Sequence, residues 1–435
     1  MSTRLRILIV AGALAALATW PLLASHRAAL SATSAAAPVA KDYLLRDKFI
    51  AFYEKQVRAN PKDQITARTL ADQYMQRFRE QGDISDVERA ENEAKRSIAL
   101  QPGGNIQANM EMASALLTYH RFHQALKYEH AADEAQPGDN SRAQIASLEM
   151  EIADYSGARA ILAHTLSPLP NPTWMSIQAR YAELTGNVAE ARALIRRSSR
   201  MVDEGLTIPA YVKSWYHFRR AQLAFETGDT EAARKQFDRS LAIYPDNSMT
   251  LMFQARFFRS LHEWHRAYLA ATRSSDLYPL PQALGYKADA QRALGDSLGA
   301  QKTDALIDAE RQLFNVQGIN DRLLANYYAQ RHVHLDYALA AAKRDLAQRG
   351  NEVYADDTMS WVLAAMGHWQ QARPYSELAI RLHTADPVML YHAGIIALHT
   401  GHGDQGRQEL RLALSINPHF HPVYTDDARK LIAAH

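Results

Sequence analysis

Small and apolar positions recur along most of this chain at intervals close to 34 residues. One set comprises Ala90, Ala125, Ala158, Ala191, Ala233, Ala267, Ala300, Ala338 and Ala372, closed by Gly406, with spacings of 35, 33, 33, 42, 34, 33, 38, 34 and 34. Twelve residues upstream lies a second small set, Ala113, Ala146, Ala179, Ala221, Ala255, Ala288, Ser360 and Gly394, with Phe78 and Asn326 as exceptions. Twelve residues downstream, prolines fall at Pro102, Pro137, Pro170, Pro245, Pro279 and Pro418. Three coupled positions in one register mark an internal repeat.

The register describes a helical hairpin. Between its two small positions comes a break, with glycine at Gly186, Gly228, Gly295, Gly367 and Gly401. Glycine ends a helix readily because it takes a positive φ without a Cβ clash. Small residues on both helices let the backbones approach, and the closing proline stops the second helix because it lacks the next amide donor.

On these residues the chain resembles the tetratricopeptide repeat family. The fifth unit, "WYHFRRAQLAFETGDTEAARKQFDRSLAIYP", carries Ala221, Ala233, Phe237, Ser240 and Pro245, and the sixth carries Ala255, Trp264, Ala267, Ser274 and Pro279. The ninth has Gly367, Trp369, Ala372 and Ala379 but Thr384 where the proline belongs, and the tenth has Gly394, Gly401, Ala413 and Pro418. The resemblance implies an all-α fold, a right-handed α-solenoid of about ten helical hairpins with N- and C-terminal capping helices. It also implies a concave groove, lined by the first helix of each hairpin, that receives protein or peptide segments. Transferred to matching positions, the groove falls to Trp215, Phe218, Gln222, Phe225 and Glu226 in unit five, and to Met249, Met252, Arg256, Arg259 and Ser260 in unit six. Unit nine adds Tyr354, Asp357 and Trp361; unit ten adds Tyr391, Ile395 and His399. Trp361 and Phe225 suit packing between hairpins equally well.

The chain divides accordingly. Residues 1–24 form an export signal or single-pass anchor, with Arg4 and Arg6 ahead of the uncharged run Ile7 to Ala24. Residues 25–40 are a small-residue spacer and 41–64 a capping helix with apolar Leu44, Leu45, Phe49, Phe52 and Val57. Units one to four occupy 65–203 and units five to ten 204–418. The extra residues at Met201 to Ala210 and Phe314 to Asp321 are expected as longer loops between repeats. Residues 419–435 form a terminal cap whose helix Thr425 can N-cap.

Composition narrows the chemistry. The 435 residues carry a net charge of +2, so no bulk attraction to nucleic acid is expected. The absence of cysteine removes thiolate metal sites, disulfides and cysteine nucleophiles. No phosphate loop, nucleophile elbow or paired-histidine protease motif occurs, so neither catalytic residues nor a cofactor are expected. The "HEWH" run at His262 to His265 falls one residue short of the metalloprotease spacing, and Trp264 fits the family's aromatic packing position. Of 18 histidines, ten lie in the last 104 residues, among them His392, His399 and His402. These leave open a metal- or pH-responsive role, against the plainer reading of scattered surface residues. The leading expectation is a non-enzymatic, exported scaffold of the bacterial envelope. It would bind segments of other envelope proteins and meet the membrane only through an uncleaved N-terminus.

Overall fold

The computed structural model describes residues 41–317 and 322–433. The expected export segment and spacer lie outside the described residues. Within them every regular element is helical, and no helix is long and apolar enough to cross a membrane.

After a single 3-10 turn, Asp42–Leu45, helix α1 (Arg46–Ala59) leads into ten helical hairpins. The first five pair α2 (Gln64–Gln81) with α3 (Ile84–Leu100), α4 (Ile106–Thr118) with α5 (Phe122–Ala135), α6 (Asp139–Glu151) with α7 (Tyr155–Leu162), α8 (Pro172–Leu184) with α9 (Val188–Glu204), and α10 (Ala210–Glu226) with α11 (Thr230–Ile243). The second five pair α12 (Ser248–Ser260) with α13 (Trp264–Leu277), α14 (Pro281–Ala293) with α15 (Ser297–Gln317), α16 (Arg322–Arg331) with α17 (Leu335–Arg349), α18 (Val353–Ala365) with α19 (Trp369–Ile380), and α20 (Pro387–His399) with α21 (Gly403–Ile416). Helix α22 (Tyr424–Ala433) follows and packs on α20 and α21.

The small positions explain why each hairpin closes. Ala113, Ala125, Ala179, Ala191, Ala221, Ala233, Ala255 and Ala267 are buried at the helix crossings, at 0–2% exposure. In the tenth hairpin the approach is tighter still: a Cβ on Gly406 would lie 2.7 Å from the Gly394 carbonyl oxygen. Serines on the second helix tie the hairpin's start, with the Ser97 hydroxyl donating to the Gln64 carbonyl at 2.7 Å and Ser274 to Ser248 at 3.0 Å.

Every hairpin turns through a residue at positive φ, and the eighth through two, His332 and His334. Gly82, Gly186, Gly228, Gly295, Gly367 and Gly401 fill this place in six units, while His120, Ala153, His262 and His332 fill it in the others. Histidine is enriched among non-glycine residues in this region of φ/ψ space. The "HEWH" run therefore forms a turn, with His262 at φ 58° and its ring edge-on to Trp264 at 5.4 Å. Immediately after the turn, Asp83, Asn187, Asp229 and Asp296 accept amide hydrogen bonds that cap the second helix.

Two sequence expectations need correction. The residues at Met201 to Ala210 mostly extend helices: α9 runs to Glu204 and α10 begins at Ala210, so only Gly205 to Pro209 remain as loop. Likewise Phe314 to Gln317 continue α15. Thr425 lies inside α22 rather than ahead of it, and its hydroxyl accepts the backbone N–H of His421 at 3.2 Å.

The array coils tightly enough to touch itself. A Cβ on Gly82 in the first turn would lie 2.4 Å from the ring of Tyr278, which ends the sixth hairpin. The third hairpin meets the eighth through the Arg349–Glu151 ion pair. The fourth meets the ninth where Thr384 donates to the Leu184 carbonyl at 2.6 Å, and the fifth meets the tenth where Asn417 donates to the Phe225 carbonyl at 2.6 Å. Each contact joins units five apart, so about five hairpins complete one superhelical turn. Successive turns are in contact, and the first helices of units five to ten are drawn toward a shared, narrow axis.

Candidate functional site

Along that axis the first helices of units six to ten enclose a cavity of 240 Å³. It is lined by Arg256 and Arg259 from α12, Tyr286 and Asp289 from α14, Asn326, Gln330 and Arg331 from α16, and Tyr354, Asp357 and Trp361 from α18. His392 from α20 and His421 and Tyr424 from the C-terminal segment complete it. Arg259, Asp289, Tyr327, Gln330 and Arg331 also border a wider cleft of 790 Å³, whose outer walls include Trp264, Asp304, Asp308, Tyr328 and His334. The two spaces therefore share a wall, the wider forming a broad mouth and the smaller an inner chamber beside it.

Ion pairs hold the chamber. Arg259 donates to Asp289 at 2.7 Å and Arg331 to the same carboxylate at 2.5 Å, while the Arg331 guanidinium lies 3.9 Å from the Tyr327 ring centroid. A chain of contacts leads inward from unit four: Arg219 bonds Glu183 at 2.6 Å and Gln222 at 2.5 Å, and Gln222 donates to Glu226 at 2.9 Å. Burial alone would raise the Glu183 carboxyl, but Arg219 and Arg180 outweigh it and hold it below the usual range. Glu226 goes the other way: burial and then the nearby Glu183 carboxylate push it up to about 7. Asp386, which caps α20, is also raised by burial.

His421 seals one side. Its Nδ1 accepts the backbone N–H groups of Val423 and Tyr424, both at 3.2 Å, and its Nε2 lies 2.8 Å from the Gln330 side-chain amide nitrogen. Burial, then the charges of Arg259 and Arg256, lowers its pKa well below the ordinary histidine value. Tyr424 stacks on Tyr391 at 4.3 Å and meets Trp361 edge-on at 5.8 Å. The C-terminal segment thus packs into the concave side as well as against the last hairpin.

The sequence-derived groove residues separate into two groups. Arg256, Arg259, Tyr354, Asp357 and Trp361 line the inner chamber, and Gln222 belongs to the ionic chain beside it. Trp215, Phe218 and Phe225 do not line a groove. They are buried in the apolar core of hairpins four to six, because tight coiling turns that face of α10 into an interior. Met252 is buried beside Tyr278 and Leu280, and Tyr391 beneath Tyr424. His399 stacks on Trp369 at 3.8 Å, away from the chamber.

Other lining residues went unread in the sequence. Gln282, Asp289 and Arg292 stand one repeat after Met249, Arg256 and Arg259, and stepping the register by the 33 residues from Ala255 to Ala288 reaches them. Asn326, which broke the small-residue pattern, sits on the chamber wall. The C-terminal histidines are dispersed: His332 faces the Ala365 carbonyl, His392 faces Asp357 and His402 faces Arg373. Among the described residues no cluster of three metal-ligating side chains forms, and His435 lies outside them.

The tetratricopeptide repeat model matches residues 214–247, which take in most of the fifth hairpin. No curated protein matches the chain by sequence. Among solved structures, yeast Tom70 is similar at 11% identity and TM-score 0.35, over 90% of this chain and 94% of that one. The anaphase-promoting complex heterotetramer Cut9–Hcn1 aligns at 12% identity and TM-score 0.30, over 82% and 95%. A tetratricopeptide repeat protein from Parabacteroides merdae aligns at 13% identity and TM-score 0.33, over 60% and 97%. The family model thus matches one hairpin, residues 214–247, and the nine other hairpins of the described residues repeat its helix–turn–helix plan.

Proposed function

We propose that this chain is a non-enzymatic scaffold of the bacterial cell envelope that captures segments of other envelope proteins in the cleft along its axis. Tetratricopeptide arrays in general serve as protein-interaction scaffolds. The observation that carries the reading here is the 790 Å³ mouth, where Trp264, Tyr327 and Tyr328 stand beside Arg292 and Arg331. Aromatic and arginine side chains converging on a concave surface are the residue types that dominate binding energy at interfaces. Half-exposed acids at the rim, Asp304 and Asp308, suit a partner segment carrying basic residues. The N-terminal apolar run with its preceding arginines supports export, as a cleaved signal or as a retained inner-membrane anchor.

The test is in-cell photo-crosslinking from position 264, with mass spectrometry of the captured chains and N-terminal sequencing of the same material. One or a few envelope proteins, crosslinked through a basic segment, are the expected result. Crosslinks spread over abundant bystanders, or the same capture from a photo-crosslinker placed on the outer face at Arg239, would refute the cleft assignment. Cytoplasmic partners only, with the N-terminal segment intact and unanchored, would refute the envelope assignment.

A further inference from the structure

We infer that the free face of helix α1 docks on a phospholipid bilayer carrying anionic lipid, so that the array itself meets the membrane through its first helix. The inference rests on the export reading of residues 7–24 only for bringing α1 to a membrane.

Helix α1 has more apolar face than the first hairpin uses. Ile50 and Val57 are buried, and Tyr53 packs against the same core. Leu45, Phe49 and Phe52 follow one another at helical spacing on an adjoining stripe. Yet they are 44, 40 and 53% exposed, and Leu44 just ahead of them is 67% exposed. At about 100° per residue the apolar face from Phe52 round to Ile50 spans about 160°, whereas covering a core takes about 100°. The helix cannot roll to hide the surplus. Arg46 is held by Gln73 at 2.6 Å and by Glu80 at 2.8 Å, and the Tyr43 ring stands edge-on to Tyr244 at 4.8 Å.

Charge selects what covers this face. Lys41, Lys48, Lys55 and Lys62 fall seven residues apart, are exposed, and form no ion pair with another described residue. The acids of the same stretch are engaged: Asp42 with Arg46, Asp47 with Arg77, and Glu54 with the Tyr74 hydroxyl. Residues 41–62 hold six basic and three acidic side chains, an excess of three where the whole chain has two. Lys48 and Lys55 border the apolar stripe on the side of Phe52. Cations beside exposed Phe and Leu are what an interfacial helix presents to a bilayer: the rings enter the acyl boundary while the lysine stems reach back to the headgroups. Phosphatidylglycerol supplies the matching negative charge.

Connectivity places the helix where it can act. Residues 25–40 alone separate the apolar run from Lys41, and these 16 residues span about 55 Å at full extension. A membrane-borne N-terminal run therefore holds α1 near the same surface and raises its effective concentration there. The spacer is mainly Ala and Ser, which offer little apolar surface to cover two phenylalanines.

Lipid quenching on the full chain tests this. The sequence has no cysteine, so single substitutions can each carry an NBD fluorophore: Gln56→Cys on the stripe, Arg239→Cys on the outer face, and Ala15→Cys in the apolar run. In vesicles of phosphatidylethanolamine and phosphatidylglycerol with spin-labelled lipid, quenching is expected at position 56 and not at position 239. Exchanging phosphatidylglycerol for phosphatidylcholine, or combining Lys48→Glu with Lys55→Glu, should lower the docked-to-free ratio by about tenfold or more. Quenching at position 15 without quenching at position 56 overturns the inference and leaves the export reading standing. Quenching at position 56 without position 15 upholds the inference and counts against a retained anchor. Quenching at neither overturns both. Energy transfer between chains labelled at position 56, in place of lipid quenching, assigns the face to a second copy and overturns the inference, as does quenching that ignores lipid charge.

Discussion

The side chain of Asn417 spans two superhelical turns: its Nδ2 donates to the Phe225 carbonyl at 2.6 Å, 192 residues earlier in the chain, while its Oδ1 accepts the His419 backbone N–H at 2.8 Å. Asn417 is 1% exposed and its bond to Phe225 is buried, whereas His419 is exposed. Replacing it with alanine leaves the buried Phe225 carbonyl unpaired, a cost of about 1–3 kcal/mol. Asn417→Asp should be no milder, because it sets a carboxylate oxygen against the Phe225 carbonyl. Thermal unfolding of the two variants checks this, and an Asn417→Asp protein as stable as wild type would contradict the inter-turn bond.

Glycine turns give a matched comparison between contact and conformation. Gly186 and Gly295 both adopt left-handed φ, 75° and 85°, but a Cβ on Gly186 would lie 2.4 Å from the His383 carbonyl oxygen, whereas Gly295 has nothing within 4 Å. Gly295→Ala should therefore cost only the left-handed strain of about 1–2 kcal/mol. Gly186→Ala must in addition separate the fourth hairpin from the ninth, and its loss should be clearly larger. The reverse change is informative too: Ala153 holds φ 64° at the corresponding turn, and Ala153→Gly should stabilise the protein by about 0.5–1 kcal/mol. Chemical denaturation of the three variants decides the ranking.

How much of this was legible follows from what is periodic. The hairpin crossings repeat with the chain, so Ala221 against Ala233 could be read from spacing alone. Contacts between superhelical turns do not repeat in that way. Thr384 looked like a lost proline, yet its hydroxyl is what reaches the Leu184 carbonyl. Nothing local in the sequence around Thr384 points to a partner 200 residues away. The groove assignment failed at Trp215, Phe218 and Phe225 for the same reason, since it assumed an open coil. It reached the chamber at Arg256, Arg259, Tyr354, Asp357 and Trp361, because those residues lie nearer the axis. Tyr424 and His421 were unreadable, as a segment expected merely to cover the last hairpin also enters the concave side.

Glu129 on α5 is buried at 2% exposure near Glu111 and Asp133, and burial first, then the Glu111 carboxylate, raises its pKa well above the ordinary value. The sign of the linkage is set by which state binds the proton. Below about pH 4 the group is protonated folded or unfolded and has no effect. As pH rises through the unfolded value, only the unfolded chain ionises, and stability falls until the folded group ionises as well. Glu129→Gln removes this penalty. The variant should melt higher than wild type at pH 7 and converge with it near pH 4; a constant difference across that range would assign the effect to packing.

Trp215 and Trp264 separate folding from capture. Trp215 is 5% exposed within the apolar core and meets Tyr216 edge-on at 5.0 Å, so Trp215→Ala should cost about 3–5 kcal/mol through lost burial and a residual cavity. Any loss of partner binding in that variant would follow from damage to the fifth hairpin. Trp264 is only partly buried and borders the mouth of the cleft, so Trp264→Ala should retain the helical circular dichroism and lose much less stability. If the mouth is where partners dock, the Trp264→Ala chain should lose capture by about tenfold or more at a temperature where it remains fully folded, as expected for an aromatic anchor. Equal capture by the folded Trp264→Ala chain and wild type would move the interface off this cleft.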